Sequence, residues 1–331
     1  MYNLFVLECF IFDSNNFAMK AFILNKPGNT SHSEFQLLNI PEISADELLI
    51  KVKAMSINPV DVKTRQGHGL YSRLKDLNPI VLGWDVAGVV EMVGAGASPF
   101  KVGDEVFGMV NFPGNGRTFA EYVAAPASQL AIKPLNISFE EAAASTLAAL
   151  TAYQVLVKKA KIQRFQKVLI SAASGGVGHF AAQLAKYLDA YVIGTSSEKN
   201  RGFVLGLGVD EHVDYTGDAL ETKVGHVDFA FDAVGGDNIE RLLPLVKKGG
   251  SLISIAAAPS EYAKSLAATL GINIKFVLVE SSGEDMKVIA ELLSRGKLKP
   301  FISKAFAFEQ MGDAHLAVET GRTVGKVVVT I

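Results

Sequence analysis

Cysteine is almost absent from the 331-residue sequence, in which Cys9 is the single example. An intramolecular disulfide is therefore impossible, as is any zinc or iron–sulfur site built from several cysteines. No apolar run reaches the roughly 18–20 residues of a membrane-spanning helix. The sequence has no excess of one charge either, since 32 basic and 34 acidic residues leave a net charge of −2. A large basic surface that could bind nucleic acid is therefore not expected. These absences predict a soluble protein of a reducing compartment, the cytoplasm.

The first 18 residues form a separate segment. It begins with apolar residues, carries Glu8 and Asp13, and has no Lys or Arg, whereas a secretory signal needs a positive start and a small-residue cleavage site. A strand-like run follows from Met19 to Leu24. We therefore expect residues 1–18 to be a disordered extension before a natural start at Met19; the alternative is a functional arm.

Two kinds of pattern divide the rest of the chain. From Met19 to about Pro134, short runs such as Glu47–Met55 are broken by Gly, Pro and Asn, which is typical of a compact β-barrel. Ser138 and Glu141 resemble a capping box, and the Ala-rich stretch Ala142–Lys159 predicts one long helix. Strands and helices then alternate, which predicts a doubly wound parallel sheet.

The predicted fold class is α/β, with the parallel-sheet domain inserted into the barrel domain. The last run, Thr323–Ile331, is predicted to be a strand that returns to the barrel. We assign residues 19–145 and 285–331 to the barrel domain and residues 146–284 to the parallel-sheet domain. Clefts at such junctions are usual ligand sites.

The clearest local motif follows the predicted buried strand Lys167–Ser171. Ala172, Gly175 and Gly178 form an A-x-x-G-x-x-G pattern, a departure from the standard G-x-G-x-x-G, and a helix begins at once. Missing side chains let the backbone approach a pyrophosphate, and the helix N-terminus offers free N–H groups and a positive dipole end. The motif predicts dinucleotide binding; the alternative is a turn that serves only helix–sheet packing.

The residues after the second strand distinguish between the two nicotinamide cofactors. An NAD site usually places Asp or Glu there to bind the ribose hydroxyls. Here Ser196 stands at the strand end and is followed by Lys199 and Arg201, and hydroxyls with cations suit a 2′-phosphate. We therefore predict NADPH; NADH is the alternative if Glu198 faces the cofactor.

Three spaced motifs in the barrel half point to a family. They are SINPVDVKTRQG at residues 56–67, LGWDVAGVV at residues 82–90 and FKVGDEVFG at residues 100–108. With the Ala-rich helix and the glycine turn, they resemble the medium-chain dehydrogenase/reductase superfamily in its zinc-free quinone oxidoreductase (zeta-crystallin-like) branch. The resemblance runs from Met19 to Ile331.

The departures from zinc-dependent members support that branch. Those members have a cysteine near the position of Asn58, a His-Glu pair where this chain has Trp84 and Asp85, and a lobe with four cysteines. This sequence has none of these ligands, and its six histidines show no metal-ligand spacing. We therefore expect no zinc and no metal site.

The resemblance implies a GroES-like β-barrel catalytic domain with an inserted Rossmann domain. It also implies hydride transfer from NADPH to a quinone or an α,β-unsaturated carbonyl without a metal, and a homodimer joined along Asn273–Val279; the alternative for that strand is a covered edge. No nucleic acid or membrane partner is expected. The alternative function is an NADPH-binding structural or RNA-binding protein with negligible turnover, because the branch includes such members.

The resemblance also implies the site residues beyond the glycine turn. Asn58 is expected beside the nicotinamide or the acceptor, where its amide would donate to a developing oxyanion, and Tyr71 is expected in the cleft; the alternative for each is a purely structural role. Asp61 and Asp85 are expected to be structural. The predicted cofactor-binding residues are Thr151, Ser174, Gly175, Gly176, Val177, Gly178, Ser196, Lys199, Tyr215, Val234, Ile255, Ala256, Phe276, Val277 and Lys326.

Overall fold

The structure, a computed structural model, describes residues 18–216 and 220–331. The predicted disordered extension therefore lies outside the described residues, except for Ala18, which begins the first strand. Within the part of the chain that is described, no helix is long and apolar enough to cross a membrane.

Short strands dominate the chain up to residue 132, as its interrupted apolar runs predict. The strands are β1 (Ala18–Leu24), β2 (Ser33–Asn39), β3 (Glu47–Ile57), β4 (Ile80–Val81), β5 (Asp85–Val93), β6 (Glu105–Met109), β7 (Tyr122–Pro126) and β8 (Ala131–Ile132). Helices α1 (Pro59–Arg65) and α2 (Tyr71–Leu74) lie between β3 and β4. β1, β2 and β4 form one sheet, and the other strands belong to a second sheet of seven strands.

The Ala-rich stretch is interrupted, so the prediction of one long helix is wrong. α3 (Phe139–Ala144) begins at the predicted capping box, but α4 (Leu147–Tyr153) is a separate helix that continues as a π-helical segment, Gln154–Lys159. Between α3 and α4, the Ser145 hydroxyl donates to Glu141 O at 2.7 Å and the Thr146 hydroxyl donates to Ala143 O at 2.9 Å. Such local side-chain bonds compete with the helical backbone pattern, and they end α3.

The second half of the chain alternates strands and helices. The elements are β9 (Lys167–Ile170), α5 (Gly178–Tyr187), β10 (Tyr191–Ser196), α6 (Arg201–Gly206), β11 (Glu211–Asp214), α7 (Leu220–Val224), β12 (Val227–Asp232), α8 (Asp237–Leu242), β13 (Val246–Ser254), α9 (Glu261–Leu270) and β14 (Asn273–Phe276). The six strands pair in parallel in the order β11-β10-β9-β12-β13-β14. This is the doubly wound order whose reversal lies between the first and fourth strands, here β9 and β12.

The chain then returns to the first half, as predicted. α10 (Gly283–Ser294), β15 (Ile302–Ala307) and α11 (Met311–Glu319) lead to β16 (Lys326–Thr330). β16 pairs antiparallel with β3, with Val327 opposite Ile57. The parallel sheet, residues 167–276, is therefore inserted between strands of the seven-stranded sheet, and the predicted α/β fold class is confirmed. The domain boundaries at residues 145/146 and 284/285 stay a prediction.

The hydrophobic core explains how the two halves are joined. Alternate residues of β9 face opposite sides: Val168 and Ile170 belong to a large core shared with the barrel strands, whereas Leu169 belongs to a second core under α7, α8 and α9. A strand that is buried on both faces needs continuous apolar residues, which β9 supplies. Both faces of the sheet at β9 are therefore covered, and ligands of such sheets bind at the carboxyl ends of the strands.

Candidate active site

The glycine turn between β9 and α5 is close-packed at its last glycine. A Cβ atom on Gly178 would lie 2.1 Å from the carbonyl oxygen of Ala172, a distance that real Cβ atoms do not reach. Ala172, the second residue after β9, has φ 49°, in the left-handed region that favours glycine. Gly178, which stands at the last glycine position of the standard motif, is therefore required for the close packing of strand against helix.

The carboxyl ends of the parallel strands form a crevice beside this turn. Ser171 N donates to Phe231 O at 2.9 Å, so the segments that follow β9 and β12 run together. Ile255 N donates to Asp232 O at 3.0 Å, and Val277 N donates to Ser254 O at 2.9 Å. Ligands of open α/β sheets bind in this position. The predicted residues Ile255, Ala256 and Val277 thus follow strands that end at this crevice, and Phe276 is the last residue of β14.

Asp232, which sequence reasoning did not assign, shapes the turn after β12. Its carboxylate accepts from Val234 N at 3.1 Å, from Gly235 N at 3.0 Å and from Asn238 Nδ2 at 2.7 Å. Gly235 has φ 78°, and a Cβ atom there would lie 3.0 Å from Ala257 Cβ. The predicted residue Val234 is therefore held, exposed, on a turn that has no spare room. An Asp followed by turn glycines is the signal that was available for this role.

Predicted residues from β9, β10 and β11 come together on the other side of the glycine turn. Tyr215 N donates to Ser196 O at 3.3 Å. Asn200, which sequence reasoning also missed, donates from Nδ2 to Ser174 Oγ at 3.2 Å and to Ser197 Oγ at 3.4 Å. Asn200 thereby links the glycine turn to the loop that carries the predicted 2′-phosphate residues.

The charged residues of that loop lie on its outer side. Lys199 is exposed, and Arg201 is about half exposed with Nη1 3.9 Å from Glu198 Oε1. The side chain of Glu198 is 63% exposed. Two cations and one carboxylate therefore surround the end of β10.

A cluster of buried polar side chains lies where β3, β5 and β16 meet. Asn58 donates from Nδ2 to Asp85 Oδ2 at 2.7 Å, and its Oδ1 accepts from the Lys326 ammonium. Asp85 also accepts from the Ser56 hydroxyl and from Leu147 N, the latter at 3.0 Å. Asn58 therefore has one Nδ2–H left for a ligand, while its carbonyl is used inside the protein.

Burial controls the protonation of this cluster. It lowers the pKa of Lys326, an effect opposed by the charges of Asp85 and Asp61, and Lys326 Nζ lies 3.7 Å from Asp85 Oδ2. Burial raises the pKa of Asp61 to about 8, against the hydrogen bond from Asn58 N at 2.7 Å. Burial therefore favours the neutral form of Asp61, and the nearest carboxyl group to the Lys326 ammonium is that of Asp85.

Lys326 also joins the buried cluster to the glycine turn. Its Cδ lies 3.2 Å from the point where a Cβ on Gly176 would stand, and Gly325 N donates to Ser174 O at 2.8 Å. The predicted residues Ser174, Gly176, Asn58 and Lys326 thus come together, although they belong to both halves of the chain.

Two predicted site residues, Thr151 and Tyr71, have side chains that contact other parts of the protein. Thr151, buried in α4, donates its hydroxyl proton to Leu147 O at 2.7 Å, so its oxygen is left only as an acceptor. The half-buried ring of Tyr71, at the start of α2, packs against the barrel core.

Among residues 18–216 and 220–331, no group of three or more His, Cys, Asp or Glu side chains is arranged to hold a metal ion. The glycine turn, by contrast, fits a dinucleotide, since it leads directly into α5, whose first N–H groups have no side-chain cap at Val177 and can bind a pyrophosphate.

Comparison with known proteins identifies the family. The profile of the "Alcohol dehydrogenase GroES-like domain" matches residues 44–135, and that of the "Zinc-binding dehydrogenase" family matches residues 207–329. The chain is 37% identical over 299 residues to 2-methylene-furan-3-one reductase of Solanum lycopersicum, covering 88% of this chain and 73% of the relative. It is 34% identical over 321 residues to the chloroplastic NADPH-dependent alkenal/one oxidoreductase of Arabidopsis thaliana, covering 94% and 79%.

A solved structure supports the same assignment. The quinone oxidoreductase from Coxiella burnetii superimposes with a TM-score of 0.90 at 33% identity, covering 95% of this chain and 99% of that one. The chain thus belongs to the medium-chain dehydrogenase/reductase superfamily, in the quinone oxidoreductase branch that its sequence motifs predict.

Proposed function

We propose that the protein is a reductase that transfers hydride from NADPH to a quinone or an α,β-unsaturated carbonyl compound without a metal. The observation that supports it best is the junction at Gly325 and Lys326. There the glycine turn, through Ser174, is hydrogen-bonded to the same strand end whose ammonium reaches Asn58. A dinucleotide at the turn and an acceptor at Asn58 would therefore be neighbours. The names of the tomato and Arabidopsis relatives support the substrate class.

The reaction requires the protein to bind the cofactor and the acceptor and to provide a hydrogen-bond donor for the developing charge. When bound, NADPH supplies the hydride. Addition of hydride to a conjugated carbonyl places negative charge on oxygen, and a fixed hydrogen-bond donor in a water-poor site stabilises that charge. We assign this donor to the remaining Nδ2–H of Asn58, which the Asp85 and Lys326 bonds hold in one orientation. The proton that completes the reaction comes from solvent.

The choice of NADPH over NADH belongs to the same proposal. It is supported by the buried hydroxyl of Ser196 and by the cations of Lys199 and Arg201 on the loop that follows it. Glu198 lies within ion-pair distance of Arg201, so the loop has a carboxylate that need not face the ribose. Tyr215 and Ser174 complete the proposed adenosine side.

The test is NADPH consumption with quinones, enones and a simple alcohol–aldehyde pair, with NADH in parallel, before and after dialysis against a chelator. We expect turnover of a quinone or an enone with NADPH, unchanged by the chelator. Tight NADPH binding without turnover on any acceptor would instead establish the binding-protein alternative. Turnover that is lost with the chelator and restored by zinc would contradict the metal-free mechanism.

We also propose a homodimer through β14. Of the six strands in the parallel sheet, β14 is the one at the edge next to β13, and Phe276 and Leu278 beside it are each 41% exposed. Sedimentation should show a dimer that Leu278→Asp weakens. Leu37→Asp, on the exposed face of β2, is the matched control and should leave the dimer intact; a monomeric wild type would contradict the proposal.

The cytoplasmic location stays a proposal as well. The low cysteine content supports a reducing compartment, and the Arabidopsis relative is named chloroplastic. Fractionation of cells that express a tagged full-length chain would decide between the cytoplasm and an organelle.

A further inference from the structure

The end of β10 holds a buried pair that the proposed reaction does not use. Ser196 Oγ lies 2.8 Å from His212 Nε2, across the pairing of β10 with β11. Ser196 is 2% exposed, and the side chain of His212 is fully buried. The other ring nitrogen of His212, Nδ1, has no hydrogen-bond partner and lies 3.9 Å from Glu198 Oε2. A buried polar atom without a partner is costly and needs an explanation.

Counting the protons shows what Ser196 can offer to a ligand. Its hydroxyl has one proton, which in this structure can go to Ser197 O at 3.1 Å or to His212 Nε2. A phosphate oxygen accepts hydrogen bonds, so Ser196 must direct this proton to the phosphate when one binds. Ser196 Oγ can then keep its bond to His212 only if Nε2 carries a proton and donates.

The position of Glu198 adds a second requirement. A carboxylate 3.9 Å from Nδ1 favours a proton on that nitrogen, whereas a bound phosphate favours a proton on Nε2. A neutral imidazole carries one proton and satisfies one of these demands. The imidazolium satisfies both, and it places a positive charge one hydrogen bond away from a 2′-phosphate.

We propose that His212 is a specificity-determining positioning residue, which holds the Ser196 hydroxyl as a donor to the 2′-phosphate of NADPH and takes up one proton from solvent when that phosphate binds. The proposal rests on the proposed use of NADPH. NADH has a 2′-hydroxyl, which can donate as well as accept and therefore does not require a proton on Nε2. His212 thus discriminates between the two cofactors without touching either.

The surroundings of His212 fit such a change of charge. Burial lowers its pKa, whereas Glu198 and Asp214 raise it and Arg201 lowers it. On the side of α7, β11 packs through apolar residues, among them Val213 of the strand and Leu220 and Val224 of the helix. Burial, the largest of these effects, favours the neutral imidazole when no ligand is bound, and a phosphate dianion nearby shifts the balance towards the imidazolium.

The first test is titration of the wild type, His212→Leu and His212→Gln with NADPH and with NADH. His212→Leu removes the donor to Ser196, so NADPH affinity should fall about ten- to a hundredfold, while NADH affinity changes less than about twofold. His212→Gln keeps a neutral donor and should retain most of the NADPH preference. His226→Gln, at an exposed histidine before β12, is the matched control and should behave as the wild type.

The second test measures the proton. Calorimetry in two buffers of different ionisation enthalpy should show that NADPH binding near pH 7 takes up protons in the wild type. This uptake should shrink in His212→Gln, in which only the phosphate itself titrates, and NADH should give none with either protein. Equal uptake in the wild type and His212→Gln would overturn the proposed protonation.

The outcomes separate this inference from the proposed function. If the wild type shows no preference for NADPH, the cofactor assignment fails. If the wild type prefers NADPH and His212→Leu prefers it equally, the cofactor assignment stands and the role of His212 is wrong.

Discussion

The ammonium of Lys326 is buried beside the carboxyl groups of Asp85 and Asp61 and the side-chain amide of Asn58. Lys326 donates to Asn58 and lies 3.7 Å from Asp85, and the carboxyl group of Asp61 is near enough to affect the pKa of Lys326. A buried charge that loses its partner is strongly destabilising, although the intact pair itself adds little to stability. Lys326 therefore matters both for the orientation of Asn58 and for the fold.

Replacement of Lys326 by Met should show this. Lys326→Met leaves the Asp85 carboxylate buried without a cation, so we expect the free energy of unfolding to fall by about 3–5 kcal/mol. Lys20→Met is the control, because Lys20 pairs with Glu309 at the surface and should contribute at most about 1 kcal/mol. Urea denaturation of the three proteins measures the difference. Equal losses in both variants would contradict the buried role of Lys326.

Among the elements, the strand–turn–helix unit β9–α5 has little tolerance for change at Gly178. The space beside Gly178 is filled by the backbone of Ala172, and this turn would accept the cofactor. The turn is also held from outside: His179 Nδ1 lies 2.9 Å from Gly175 O, and Phe301 N donates to His179 Nε2 at 3.3 Å. A change at Gly178 therefore affects packing and binding together.

Gly178→Ala tests this element. The added methyl group would lie 2.1 Å from Ala172 O, so the backbone has to move; we expect a loss of about 1–3 kcal/mol of stability and weaker NADPH binding. Gly202→Ala, in α6 with no atom within 4 Å of the new Cβ, should instead gain about 0.5–1 kcal/mol. Thermal unfolding and NADPH titration measure both effects. If Gly178→Ala leaves both stability and NADPH affinity unchanged, the turn is looser than the structure indicates.

Local sequence signals predicted most of the helices and strands. They failed where side-chain hydrogen bonds competed with a high helix propensity. The alternation of strands and helices in residues 167–276 and the capping box at Ser138 are present in the structure. The Ala-rich stretch predicted an unbroken helix because its helix propensity is high. Ser145 and Thr146 interrupt it through their own hydrogen bonds, and nothing in the propensity of the neighbours reveals that.

For the fold as a whole, two buried histidines reduce the free energy of unfolding at low pH. His315 in α11 lies against Phe22 and Phe119, and neither of its ring nitrogens has a hydrogen-bond partner. Burial, reinforced by the charge of Arg65, lowers the pKa of His315 to about 3, and burial lowers that of His179 to about 4. Between the ordinary value of 6.5 and these values, the unfolded chain binds more protons than the folded one. Stability is therefore intact above pH 6.5 and falls as the pH decreases towards 3.

His315→Leu should remove part of this pH dependence. The substitution replaces an imidazole without partners by an apolar side chain, so stability at pH 7 should be equal or higher. At pH 4.5, where protonation of the unfolded wild type costs about 2–3 kcal/mol at this position, the variant should be more stable by that amount. Urea midpoints at the two pH values give the comparison. An equal loss of stability in both proteins between pH 7 and pH 4.5 would contradict the prediction.

The site shows which features could be predicted and which could not. Glycine spacing, strand periodicity and the near absence of cysteine are properties of neighbouring residues or of composition, so they indicated the dinucleotide turn, the inserted sheet and the family without coordinates. Asn58 pairs with Asp85 and Lys326 across 27 and 268 positions, and Ser196 meets His212 across 16. Only folding brings these groups together in a buried place, where loss of water fixes their protons and leaves Asn58 a single free N–H.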